Sequence, residues 1–281
     1  MREIEAKEVT ETVCRLFDEA CHYLPEDVKN VIRKGREIEE SPVGREVLDR
    51  ILENIDISAE GQVPLCQDTG DAIVFVEMGQ DVHITGGDFY EAINEGVRQG
   101  YDKGFLRKSM VNQPFSARKN TGDNTPAIIY TDIVPGDKLK IIAKPKGGGA
   151  ENMSRLAMLK PAQGRQGVID FIVNSVDEAG SNPCPPTILG IGIGGTVEKC
   201  VLLAKKALLR EAGTPNPDPE VAELEREILE RVNKLGIGPM GYGGRVTSLA
   251  VHIDVFPAHI ASLPVALNMQ CWCARHKEAV L

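Results

Sequence analysis

Nowhere in the 281 residues does an uninterrupted apolar run approach the roughly 18 residues that a membrane-spanning helix needs. The N-terminus, MREIEAKEVTET, is charged and carries no apolar signal core. No membrane association is expected, and the cytoplasm is the expected location. Excess positive charge is missing too: 32 Lys+Arg stand against 41 Asp+Glu, for a formal net charge of -9. Such a balance does not mark a binder of phosphate backbones, so nucleic acid is not an expected partner. Among seven cysteines no Cys-x-x-Cys pair occurs, which removes the usual zinc-ribbon and ferredoxin spacings. Internal repeats and low-complexity linkers are absent as well.

What is present is a 42% hydrophobic chain, enough to fill a real core, with 28 glycines. The first sixty residues read as a helical cap. Ile4, Val9, Val13, Phe17 and Ala20 recur at helical spacing, and two further helical segments open after Pro25 and Pro42. DAIVFVEMG, from Asp71, is a strand candidate, and Asp88 opens a helix with Phe89, Ile93 and Val97 on one face. AIIYTDIV and KLKIIAKPK flank Pro135-Gly136-Asp137 and read as an antiparallel hairpin. A helix ending at Gly180, the strand TILGIGIGG, a helix from Thr196, a charged helix from Pro219 and two late strands complete the pattern. The expected class is mixed α/β (α+β), a single helix-rich domain over residues 1–281 around a central mixed sheet.

The chemistry-bearing residues sit in the loops. Gly190, Gly192, Gly194 and Gly195 form a strand-to-helix turn spaced G-x-G-x-G-G, which departs from the dinucleotide pattern and leaves tight packing and an anion site both open. Without a secretion signal the cysteines are expected to be reduced thiols. Cys14, Cys21 and Cys200 lie among apolar helix residues and read as core thiols. Cys66, Cys184 and Cys271 each sit beside Pro, Gly or polar residues at the edge of an element, where a thiolate can face a cleft. Three cysteines on a cubane cluster leave the fourth iron open as a Lewis acid, although three buried thiols are the plainer alternative. Arg107, Lys108, Arg118, Lys119, Lys144 and Lys146 concentrate positive charge suited to a carboxylate or phosphate. Asp68 is a candidate acid/base or a turn former, and His259 taken alone reads as structural.

Five motifs in order, LCQDTG around Cys66, ARKNTGDNTPA at 117–127, KGGGAEN at 146–152, ILGIGIGGT at 188–196 and PVALNMQC ending at Cys271, resemble the class I, iron-sulfur-dependent fumarate hydratases and L-tartrate dehydratases. The resemblance is to the α subunit of the two-subunit forms. It implies a 4Fe-4S cluster held by Cys66, Cys184 and Cys271, with Cys273 two residues on as an alternative that motif position disfavours. It implies reversible hydration of fumarate to (S)-malate, a small dicarboxylate substrate, or alternatively dehydration of tartrate to oxaloacetate. Gln67 and Asp68 would touch the substrate, Asp68 within the proton-transfer network. Arg107 would pair with a carboxylate, the Gly148-Gly149 backbone would donate a hydrogen bond, and His259 would reach the substrate from the cluster side. A binding protein on the same fold, with merely structural cysteines, is the rival of a different kind. The chain ends ten residues after Cys271, where single-chain members continue into a second domain. A separate β subunit, in an α2β2 assembly, is therefore expected to be needed for activity and to supply the catalytic base.

Overall fold

A computed structural model describes all 281 residues. In chain order the elements begin with β1 (Arg2–Glu5), α1 (Ala6–His22), α2 (Glu26–Ile38), α3 (Pro42–Gly61), β2 (Asp71–Gly79), β3 (Val82–Thr85) and α4 (Phe89–Lys103). They continue with β4 (Val111–Asn112), β5 (Lys119–Asn120), β6 (Ile128–Val134), β7 (Leu139–Lys146), α5 (Gly148–Glu151), β8 (Arg155–Leu159) and α6 (Gly164–Ala179). The last are β9 (Thr187–Gly194), α7 (Val197–Ala207), α8 (Pro219–Asn233), β10 (Ser248–Phe256), β11 (Leu263–Gln270) and β12 (Lys277–Val280). The mixed α/β class expected from the sequence is the one observed, carried by two four-stranded mixed sheets rather than one.

The chain divides into two units. Met1–Pro25, Asn54–Gly148 and Arg275–Leu281 form the first; Glu26–Glu53 and Gly149–Ala274 form the second. Residues 1–60, read as one cap, are thus shared between them: α1 belongs to the first unit and α2 to the second.

In the first unit the sheet runs β12-β7-β2-β6, with β2 parallel to β6 and antiparallel to β7. Helices α1 and α4 cover it. The helical spacing of Val9, Val13 and Phe17 on α1 and of Ile93, Val97 and Tyr101 on α4 packs against Val74, Val76, Ile141 and Ala143. Each large apolar side chain so buried contributes roughly 1.5–3 kcal/mol. The start of α4 is fixed by Asp88, whose carboxylate accepts the Glu91 N–H at 2.9 Å.

The hairpin expected around Pro135-Gly136-Asp137 does not form. The turn is there, but β6 and β7 are not partners, because β2 lies between them. Ala72 to Val76 are buried without interruption, and such a strand needs a partner on both edges. The end of β2 completes the wedge: the Gly79 N–H donates to the Lys138 carbonyl and the Gln80 N–H to that of Val134, both at 2.9 Å. A second departure is β1, which pairs in parallel with β3 where the sequence pattern had suggested continuous helix.

The second unit has the order β10-β9-β11-β8, with β9 parallel to β10 and antiparallel to β11. Leu189 and Ile191 of β9 join Ile172 of α6 and Ile228 and Val232 of α8 in one core. The other face of β9 offers Gly190 and Gly192 to α7. A Cβ on Gly190 would stand 2.1 Å from the Ala204 carbonyl oxygen, and one on Gly192 would stand 2.0 Å from that of Cys200. These two glycines therefore serve close helix-on-strand approach, the packing alternative left open by their spacing. Strands β3, β8 and β12, of only four or five residues each, are additions to the elements expected from the sequence. The helix from Thr196 stops at Ala207, short of the length its pattern suggested.

Candidate active site

In the first unit, the Cys66-Gln67-Asp68-Thr69-Gly70 turn joins α3 to β2 and is held almost entirely by its backbone. The Leu65 N–H donates to the Cys21 carbonyl and the Asn54 amide to the Leu65 carbonyl, each at 2.9 Å. Tyr101, fully buried, donates its hydroxyl to the carbonyls of Thr69 and Gly70 at 3.1 and 3.0 Å. Burial pushes the Tyr101 phenol well above its ordinary range, so it stays a donor. Asn124, also fully buried, donates to the Gly70 carbonyl and accepts the N–H groups of Ser109 and Met110. Arg275 donates to the Asp68 carbonyl. The role of the NTGDNTP motif is thereby legible: it builds a loop that grips the cysteine turn.

That turn meets two other predicted segments. Thr69 donates to the Arg107 carbonyl at 2.6 Å, leaving the Arg107 side chain exposed. On the far side, a Cβ at Gly147 would lie 3.2 Å from a carboxylate oxygen of Asp68. Cys66, Gln67, Asp68, Arg107 and the start of the glycine loop at Gly147-Gly148 are thus neighbours in the fold. The backbone N–H of Asp68 donates to the Cys66 sulfur at 3.4 Å. Lys144 and Lys146, counted among the loop cations, are instead fully buried on β7, where Lys146 stands opposite Asp71 across the ladder.

In the second unit, Cys184 sits in the exposed SNPCPP turn before β9 with a left-handed φ of 54°. Its N–H donates to the Ser181 carbonyl at 3.0 Å, and the Met240 N–H ties down the Pro185 carbonyl at 2.7 Å. Gly149 is close by, its Cβ position 3.7 Å from the Asn182 carbonyl oxygen. Cys271 follows β11 directly. Because Gln270 is registered with Ile188, Cys184 and Cys271 lie at the same end of the sheet. The Gly149–Glu151 segment is moored by Glu151, which accepts from Lys205 at 2.5 Å and from the buried Asn268 at 2.9 Å.

His259 is not part of this grouping. It lies in an exposed turn before β11, its Nδ1 accepting the Ala261 N–H at 3.1 Å, beside Gly195, Thr196 and Phe256. The registers Ile193 to Val265 and Ile188 to Gln270 put about 17 Å of strand between that end of the sheet and the end bearing Cys271. Within its own unit it does not reach the cysteines.

The seven thiols fall into two sets. Cys14, Cys21, Cys200 and Cys273 are buried, whereas Cys66 and Cys271 are partly exposed and Cys184 is exposed. Burial pushes the Cys21 thiol up to about 11, against the opposing pull of Arg275, and does the same to Cys200. A metal takes the thiolate, which burial disfavours at Cys21 and Cys200, and the three cysteines expected from the sequence as ligands are the three that are not buried. Cys66 belongs to the first unit, Cys184 and Cys271 to the second. Neither unit alone gathers three or more His, Cys, Asp or Glu side chains able to hold a metal ion.

Arg275, Tyr101, Asn124 and Gln270 escaped the sequence reading. Two of them left a trace: Asn124 lies in a motif that carried the resemblance, and Gln270 directly precedes Cys271.

With this geometry in place, comparison with known proteins gives the class. The family described as Fumarate hydratase (Fumerase) matches residues 10–280, and the chain belongs to this class I fumarate hydratase family. A protein of Methanocaldococcus jannaschii named for the α subunit of L(+)-tartrate dehydratase is 45% identical over 272 residues, 95% of each chain. The L(+)-tartrate dehydratase subunit alpha of Escherichia coli strain UTI89 is 32% identical over 270 residues, covering 95% of this chain and 88% of its own. Its counterpart in strain K12 is 30% identical over 269 residues.

Proposed function

We propose that this chain is the α subunit of an iron-sulfur hydro-lyase that dehydrates L-(+)-tartrate to oxaloacetate and works with a separate β subunit. The observation that carries the reading is the match, along 95% of this chain, to proteins named as tartrate dehydratase α subunits. It reverses the order expected from the sequence, which put fumarate and malate first. Fumarate hydration stays as the second reading because the family's own description names it.

Cys66, Cys184 and Cys271 would hold the 4Fe-4S cluster, a fit supported by their being the accessible thiols. When bound, the cluster supplies an iron without a protein ligand, the Lewis acid of the dehydration. The protein's own part is positioning and proton handling. Exposed Arg107 would grip a substrate carboxylate with two parallel hydrogen bonds, and the Gly148-Gly149 N–H groups would donate to the same dicarboxylate. Gln67 would hydrogen-bond a substrate hydroxyl. Asp68, its main chain fixed by Arg275 and its carboxylate beside Gly147, would take part in proton transfer.

The test is to co-purify the chain with its β subunit, reconstitute the complex anaerobically with iron and sulfide, and compare kcat/KM for L-tartrate, (S)-malate and fumarate. A site that hydrogen-bonds the second hydroxyl rejects the analogue lacking it by orders of magnitude. Tartrate is expected to lead by at least about tenfold. A lead for malate and fumarate would install the second reading, and full turnover by this chain alone would overturn the subunit assignment.

A further inference from the structure

Strand β11 is apolar except for two buried amides, Asn268 and Gln270, which alternation places on one face. Asn268 donates to Glu151 and Ser154, and its own amide oxygen is likewise buried with no partner. Gln270 is not explained by packing. Its side-chain nitrogen donates to the Cys273 carbonyl at 3.1 Å and to the Cys271 sulfur at 3.4 Å, while its amide oxygen is buried with no partner. A carbonyl can only accept, so the Cys273 contact fixes which way the amide faces and directs its N–H groups at the sulfur. An orphaned buried oxygen is costly, and a leucine would fill the same space without it.

We infer that Gln270 is a positioning residue for the metal centre: its N–H···S bond to Cys271 sets the redox poise of the cluster and slows its loss in air. This rests on the proposed ligand set and adds to it a named device. A hydrogen bond to a thiolate favours the more electron-rich state, so it raises the cluster's potential. Removing it makes the cluster easier to oxidise, and oxidation is the route by which an iron without a protein ligand is shed.

Wild type, Gln270→Leu and Gln270→Met would be reconstituted anaerobically as full-length chains. Iron content, the midpoint potential from a redox titration followed by electron paramagnetic resonance, and the half-life of the visible absorption in air would be measured. Both variants are expected to bind as much iron as wild type, to titrate at lower potential and to lose the absorption several-fold faster. Equal potentials and half-lives at equal iron content would overturn the inference and leave the ligand assignment standing. Failure of wild type to take up a cluster would overturn the ligand assignment, and the inference with it. Should the leucine variant fail to fold, the unbranched methionine variant carries the same comparison. If both fold but bind no iron, the amide is needed to build the site rather than to tune it, and the inference falls.

Discussion

Replacing Gly70 by alanine tests the link between fold and site most directly. Gly70 ends the cysteine turn with φ of 74°, and a Cβ there would stand 2.2 Å from the Lys146 carbonyl oxygen and 2.7 Å from the Gly147 nitrogen. Both are backbone atoms that cannot swing aside. A normal contact requires the Cys66–Gly70 turn and the glycine loop to part by about 1 Å. The left-handed conformation costs an alanine roughly 1–2 kcal/mol and the overpacking roughly 1–3 kcal/mol more, so Gly70→Ala should destabilise by about 2–5 kcal/mol. Function should suffer further, because Asp68 and Gly147 face each other across the gap being forced open. A displacement of that size costs on the order of 100-fold in rate. Gly136→Ala is the matched control: φ is 104°, but nothing lies within 4 Å of its Cβ position, so it carries backbone strain without a clash. Urea unfolding and kcat of both variants in the complex with the β subunit give the answer. Equal destabilisation of the two, or an unchanged kcat in Gly70→Ala, would refute the reasoning.

Two further predictions bear on the second unit and on the thiols. Glu39 is fully buried and accepts N–H bonds from Ser41, Arg245 and Val246 at 2.8–2.9 Å. Burial alone would raise its pKa, but these backbone bonds outweigh it and hold the carboxyl below its ordinary 4.5. Its stabilisation is therefore complete above that value and fades as pH falls through the lowered folded-state value. Glu39→Gln turns an N–H toward at least one of those donors and should cost about 1–3 kcal/mol at pH 7, read from the fluorescence of the single tryptophan, Trp272, during urea unfolding. The penalty should shrink near pH 3, and a pH-independent penalty would count against the assignment. Among the cysteines, Cys184→Ala should abolish the visible absorption of the reconstituted cluster while Cys200→Ala keeps it. The reverse pattern would remove Cys184 from the ligand set.

What the sequence conveys here depends on how far apart the cooperating residues are. Asp88 caps α4 within a span of three residues, and the pattern of α1 packs as its spacing says, because both signals are local. The β6–β7 hairpin was misread for the converse reason. The turn is real, but only the long buried run of β2, some sixty residues upstream, decides that another strand fills the gap. Arg275 reaches Asp68 and Glu39 reaches Val246 from about 207 positions away, and no local pattern announces either. The three accessible cysteines were legible because element edges leave composition marks in Pro, Gly and polar neighbours. His259 as a site residue rests on resemblance alone, and strand direction places it at the end of β11 opposite to Cys271.

A further signal lies in the last buried strand. VALNMQC alternates an amide with an apolar residue at its end, and a buried amide in an apolar strand must find a hydrogen-bond partner. Two such amides two residues apart, immediately before a cysteine, foretell that one face of the strand serves polar contacts rather than packing. The structure supplies both partners, Glu151 for Asn268 and the Cys271 sulfur for Gln270. The segment is thereby a single device: one amide steadies the glycine loop, and the next addresses the thiol that follows it.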